Sequence, residues 1–200
     1  MLMDNNSLIG MKKESMFPRI LLICALPISK SASTRAFYTY FDKIPKENIA
    51  QIYSNVSYPK DFSLCQNFYR INDSELVKKV FKKKIIVGKE IIDSNNDIAP
   101  TKTLKRIISF GKKDYSFVDL MRYKLWKTEY YLNNQLKEWI IKFNPDLIFF
   151  HNSNALFMEN LCLSIANFTK KPIIIEIADD YFFSRKKNYF PFLLHKEKEV

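Results

Sequence analysis

The sequence predicts an α/β domain built on a mostly parallel sheet, and three observations carry that prediction. Short apolar runs such as ILLICALPI (20–28), DLIFF (146–150) and PIIIEI (172–177) are rich in β-branched and aromatic residues with almost no polar alternation. Strands covered on both faces have this composition, and cover on both faces goes with parallel pairing. Segments of helical spacing stand between these runs and supply the crossovers that parallel strands require. Between 144 and 181 the pattern reads strand, loop, helix, strand, and it ends in adjacent carboxylates, Asp179 and Asp180.

The elements follow in order. Residues 1–16 are polar and are expected to form a disordered lead-in. Lys12 and Lys13 before the first apolar run, and SKSAS after it, imitate a secretion signal. Pro18 and Arg19 directly precede that run, however, which is only nine residues long, and a buried first strand explains the same letters. Arg19 to Leu26 is therefore read as a central strand stopped by Pro27. The loop SKSAST follows, and Thr34 is placed to cap a helix running through RAFYTYFDKI to Pro45. Asn48–Tyr53 and Asn67–Ile71 read as the next strands. Asp73 or Ser74 caps a helix ELVKKVFKKKIIV that ends at Gly88.

From Lys89 to Thr103 the periodicity dissolves into DSNNDIAPT, read as a loop. LKRIISF (104–110) is a short basic amphipathic helix. Residues 117–143 show helical spacing in Leu120, Tyr123, Trp126, Leu132, Leu136, Trp139, Ile140 and Phe143. The tryptophans and the Tyr130/Tyr131 pair are assigned to core packing rather than to a sugar platform. A helix from about Ala155 to Thr169 joins the last two strands. Strand–helix–strand repetition of this kind gives a Rossmann-like, doubly wound, mostly parallel sheet over residues 17–183. Residues 184–200 are expected to begin a linker or helix of a longer protein.

Composition narrows the function classes. With 47% apolar and 15% aromatic residues, general disorder is excluded. No apolar run approaches the roughly 18 residues needed to cross a bilayer. Cys24, Cys65 and Cys162 are widely spaced and odd in number, which argues against a disulfide framework and fits a reducing cytoplasm. No Cys/His spacing resembles a zinc site, so no metal or other cofactor is expected. The net charge of +11 suggests a nucleic-acid partner. Lysine accumulates here together with Asn, Ile and Phe while glycine is scarce, which resembles AT-rich coding bias, and no aromatic interleaving for base stacking is present. Nucleic acid is disfavoured. An anionic membrane surface or a phosphorylated substrate explains the charge equally well, and the two basic helical segments suit such a surface.

Candidate site residues fall where parallel strands end, since ligands gather beyond the carboxyl edge of such sheets. Ser31, Ser33, Thr34 and Arg35 follow the first strand, where they can bind hydroxyls or phosphate at a helix N-terminus, or serve as an ordinary cap. His151 and Asn152 follow the DLIFF strand. Asp179 and Asp180 follow the PIIIEI strand and are the catalytic candidates, as a base or as hydrogen-bond partners of a sugar, against the plain reading of a helix cap. Glu176, inside that strand, ranks below them as a buried partner of a basic residue. No Ser-His-Asp or Cys-His constellation is visible, which disfavours a hydrolase.

In sequence, RILLICALPISKSASTRAFYTYFDKIPKENIAQIYS, KLWKTEYYLNNQLKEWIIKFNPDLIFF and KPIIIEIADDYF resemble the N-terminal half of bacterial GT-B-type glycosyltransferases of the glycosyltransferase 4-like kind, found in surface-polysaccharide biosynthesis. The likeness lies in an opening strand with a Gly/Ser-type loop, a tryptophan-bearing helix leading into F-x-P-D, and a strand ending in a D-D turn. It implies one half of a GT-B fold that binds a glycan or lipid-linked acceptor, with a nucleotide sugar as co-substrate. It also implies metal-free transfer, a separate C-terminal donor-binding domain, and a cytoplasmic location, peripheral on the inner face of the cell membrane. Two departures stand out: SKSASTR carries none of the family's loop glycines, and no paired glutamates of the donor domain occur. The chain is therefore expected to be incomplete and inactive alone. Two other classes remain open from the residues, a non-catalytic Rossmann-like partner subunit and a basic nucleic-acid-binding domain.

Overall fold

The computed structural model describes residues 17–30, 33–82, 84–92, 122–153 and 155–178. The expected lead-in (1–16), the amphipathic helix at 104–110 and the segment at 184–200 lie outside the described residues. Within them a mixed sheet forms from β1 (Ile20–Cys24), β2 (Ile49–Tyr53), β3 (Asn67–Arg70), β4 (Lys89–Ile91), β5 (Leu147–His151) and β6 (Ile173–Glu176). Its order is β4-β3-β2-β1-β5-β6. All pairs are parallel except β3–β4, which is antiparallel. The chain thus steps outward from β1 to β3 on one side, then returns and builds β5 and β6 on the other. β1 and β5, neighbours in the sheet, mark where that order reverses.

β1 is central because ILLIC offers apolar side chains to both faces, and all five residues are buried. The pleat sends alternate residues to opposite sides. Leu21 and Ile23 join Ala50, Ile52, Ile148 and Phe150 in one core, while Ile20, Leu22 and Cys24 join Ile49, Tyr53 and Phe68 in another. The first core is covered by α4 (Asn134–Phe143) and α5 (Leu156–Thr169), through Trp139, Ile140, Leu161 and Ile165. The second is covered by Phe37 and Phe41, around the short helix α1 (Phe37–Tyr40).

Local signals end these elements where the chemistry demands. Asn133 caps α4 by accepting from the Leu136 N–H, and Asn144 closes it in the left-handed region at φ 50°. Pro145 cannot continue the helix. The Asp146 carboxylate accepts the Arg19 N–H at 2.8 Å, and the Asp146 N–H donates to the Arg19 carbonyl at 2.8 Å. The F-x-P-D letters therefore stop a helix and lock the start of β5 onto β1.

Several expectations are corrected. The helix expected to run to Pro45 is a 3-10 turn (Ser33–Ala36) followed by the single turn of α1, and Thr34 caps neither. The helix α2 (Asp73–Phe81) is capped by Asn72, not by Asp73 or Ser74, and it stops well before Gly88. Asn72 accepts from the Glu75 N–H and donates its amide to the Glu75 carboxylate, a reciprocal cap that neither Asp73 nor Ser74 matches. Residues 89–91 form β4 rather than a loop. The helical spacing over 117–143 belongs, among the described residues, to three separate pieces: a helical turn at 122–125, α3 (Thr128–Tyr131) and α4. The PIIIEI strand is not covered on both faces: β6 is an edge strand in which Ile174 is 49% and Ile175 55% exposed. Trp126, Trp139 and Tyr131 are core residues, as expected.

Candidate functional site

The carboxyl edge of the parallel strands brings one polar group together beside the point where the sheet order reverses. His151 is the last residue of β5 and Glu176 the last of β6, and the two are register partners. Register partners on neighbouring strands project to the same face, so imidazole and carboxylate meet. His151 Nδ1 lies 2.8 Å from Glu176 Oε2, with side chains 12% and 17% exposed. The phenol of Tyr40 donates to Glu176 Oε1 at 3.1 Å. Phe37 stands edge-on to the imidazole, 5.4 Å between ring centroids, so one side of His151 is walled by an aromatic ring. The Asn152 N–H donates to the Glu176 carbonyl at 3.0 Å, which prolongs the β5–β6 ladder past the pair.

This arrangement fixes the chemistry available. Glu176 accepts through both oxygens, from Tyr40 and from His151. The hydrogen bond to the carboxylate and that anion's charge raise the Tyr40 pKa, so Tyr40 stays a donor across the neutral range. With Nδ1–H directed at Glu176, the neutral imidazole carries its lone pair on Nε2. No hydrogen bond occupies Nε2 among the described residues. An oriented imidazole with a free nitrogen can accept a hydrogen bond or a proton from a hydroxyl held at the strand edge. Nearby, Ser153 Oγ is buried and has no partner among the described residues, an orphaned polar atom at the same loop.

The loop after β1 is held by side chains rather than by glycines. Gln51, fully buried on β2, accepts the Ile28 N–H at 2.9 Å and donates to the Leu26 carbonyl at 2.8 Å and to Cys24 Sγ at 2.6 Å. Thr34 is 1% exposed, and its hydroxyl accepts the Ser29 N–H at 2.9 Å and faces the Ser29 carbonyl at 3.3 Å. Thr34 is therefore a staple inside the loop. Arg35 is exposed on the 3-10 turn that Ser33 opens. Neither is part of the His151–Glu176 group. Burial dominates the Cys24 thiol, pushing its pKa up to about 12 despite the hydrogen bond from Gln51, so it is packing rather than a nucleophile.

Of the sequence candidates, His151 and Asn152 lie at this edge, whereas Ser31, Asp179 and Asp180 lie outside the described residues. Tyr40 and Phe37 went unnoticed in the sequence, and Glu176 was placed below its neighbours. Its position within a strand, one residue type out of keeping with IIIEI, is the signal that marks it. A cavity of about 880 Å³ lies elsewhere. It runs along Tyr123, Trp126, Tyr130, Asn160, Ser164 and Asn167, and no strand residue lines it. The strand edge, where charges and hydrogen bonds converge, is the better site. No group of His, Cys, Asp and Glu among the described residues is arranged to hold a metal ion. No helix among them is long and apolar enough to cross a membrane. Compared with protein-family models, curated proteins and solved structures, the chain matches none.

Proposed function

We propose that this chain is the acceptor-binding half of a glycosyltransferase, with a Rossmann-like sheet forming one wall of a GT-B cleft. The observation that carries the reading is the His151–Glu176–Tyr40 group at the carboxyl edge, beside the reversal between β1 and β5. Open α/β sheets bind ligands at that crevice. The order of the parallel strands, β3-β2-β1-β5-β6, has the outward-then-back path of doubly wound nucleotide- and sugar-handling folds. The opening strand and the F-x-P-D turn, two of the pieces that carry the sequence resemblance, lie in the described fold.

In the proposed reaction the anomeric carbon of a nucleotide sugar loses its bond to the diphosphate, which departs with the bonding pair, and gains one to an acceptor hydroxyl, whose proton passes to His151 Nε2. The acceptor side must fix that hydroxyl and receive its hydrogen bond. His151 Nε2 is the acceptor for it, Glu176 and Tyr40 orient the ring, and Phe37 keeps water off one side. Asp179 and Asp180, just beyond β6, stand in the proposal as further ligands of the same edge. The donor belongs to the facing domain, and the reaction is placed at the cytoplasmic face of the membrane, where the basic surface meets anionic lipid.

Saturation-transfer NMR of this chain against a panel of glycans and short-chain lipid-linked sugars tests the proposal. Binding of at least one glycan is expected, with affinity lowered about tenfold or more in His151→Ala and less in Glu176→Gln, as for loss of a charge-assisted hydrogen bond. Absence of any glycan ligand, or binding that His151→Ala leaves untouched, removes the acceptor role from this edge.

A further inference from the structure

A second polar group lies at the carboxyl ends of β2 and β3, separated from the His151 strand by β1 in the sheet. Tyr53 and Arg70 end those strands and are register partners, so their side chains leave the same face. Arg70 is 8% exposed, yet its guanidinium is poorly neutralised. Nη1 donates to the Val56 carbonyl at 3.0 Å, and the nearest carboxylate oxygen, Glu75 Oε1, is 3.9 Å from Nη2. Glu75 is already engaged, accepting the Asn72 amide at 3.0 Å and the Gly88 N–H at 2.9 Å. Arg70 Nε and the Tyr53 hydroxyl are both buried without partners among the described residues.

Tyr58 covers this guanidinium, with the Arg70 carbon 4.9 Å from its ring centroid. Lys89, the first residue of β4, donates to the Tyr58 hydroxyl at 3.0 Å. No carboxylate among the described residues forms an ion pair with Lys89. A buried cation is stable only when paired or well hydrogen-bonded, and the carboxylate facing Arg70 is distant and already engaged. Hydrogen bonding from Lys89 lowers the Tyr58 pKa below the ordinary phenol value, the expected sign of a site short of negative charge.

We infer that Arg70, Lys89 and the Tyr58 hydroxyl form an anion subsite that takes a phosphoryl group. A phosphate monoester carries close to two negative charges at neutral pH and matches two cations, whereas a carboxylate matches one. The lysine serves as a point charge and the tyrosine as an oxygen donor at the partly exposed rim, with Arg70 behind them. The inference does not rest on the acceptor reading, because none of these residues touches the His151–Glu176 pair.

The test titrates the chain with inorganic phosphate and pyrophosphate, with acetate and chloride as controls at equal ionic strength. The ring signal of Tyr58 is followed in protein carrying isotope-labelled tyrosine. A saturable shift is expected with phosphate and pyrophosphate and not with the controls. Lys89→Gln, at the rim, should keep the fold and weaken binding about tenfold, the effect of losing one charge-assisted hydrogen bond. Arg70→Gln should abolish binding, and circular dichroism establishes whether it remains folded; if it does not, Lys89→Gln alone decides. His151→Ala should bind phosphate as the unaltered chain does, so failure of either proposal leaves the other standing. A drift shared by all four salts, equal binding of acetate, or affinity unchanged in Lys89→Gln overturns the subsite.

Discussion

At Asp61, burial and hydrogen bonding pull the carboxyl in opposite directions. Burial pushes its pKa up, but hydrogen bonds from Ser63 and the Lys30 ammonium 3.4 Å away outweigh it and bring the value down to about 2. The folded state therefore holds this group ionised more firmly than the unfolded chain does. Its contribution to stability is complete above about pH 5, where the unfolded aspartate is almost wholly ionised, and is lost as pH falls towards the folded value. Denaturant midpoints measured from pH 6 down to about pH 2 should fall more steeply in the unaltered chain than in Asp61→Asn, the curves converging at the acid end. Parallel curves would mean that Asp61 does not stabilise the loop between β2 and β3. The His151–Glu176 contact obeys the same residue-scale logic with a different result: two ionisable groups meet because register partners share a face, not because they are near in sequence.

Between α2 and β4 the chain turns at Gly88, whose φ is +84°. A Cβ built there would lie 2.5 Å from Tyr69 Cε1, a clash with the ring of a fully buried side chain. Gly88→Ala combines that clash with a backbone conformation alanine resists, and should destabilise the chain by more than about 1 kcal/mol in chemical denaturation. A neutral result would show that Tyr69 moves freely, contrary to its burial. The turn also explains why β4 escaped sequence reading. KEI is three residues long, and only its antiparallel pairing with Phe68–Arg70 makes it a strand. β1, β2, β3 and β5 were legible because runs such as ILLIC and IAQIY suit a pleated, buried surface without help. The breaks within 122–143 were not legible, because Trp126, Tyr131, Leu136 and Trp139 face one core across them and spacing alone does not reveal them. Of the site, the strand-end position of His151 was legible. Its partner was not, since Glu176 and His151 meet only through the β5–β6 register, and Tyr40 arrives from a distant turn. The two sheet edges differ as well: β4 presents Lys89 and Glu90, whereas β6 leaves isoleucines exposed, the less protected kind of edge.

One sheet with a core on each side raises the question of whether the two sides fold as one unit, and the cysteines are placed to answer it. Cys24 and Cys65 belong to the core around Phe37, while Cys162 belongs to the core beneath α4 and α5. All are buried and unpaired, and burial drives each thiol pKa upward, to about 12 for Cys24 and Cys162. A thiol reagent at mild alkaline pH therefore meets almost no thiolate until the surrounding structure opens. β1 contributes Leu21 and Ile23 to one core and Leu22 and Cys24 to the other. Displacing that strand exposes both sides at once, so neither core has a separate way to melt. All three cysteines should be protected at least about a thousandfold relative to the denatured chain. Site-resolved labelling along a denaturant series should give the same opening free energy at each. An opening energy for Cys162 well below that of Cys24 and Cys65 would mean that α5 lifts from the sheet independently. The cooperative unit would then be the β1–β2–β3 side alone, and the edge holding His151 would belong to the less stable part of the molecule.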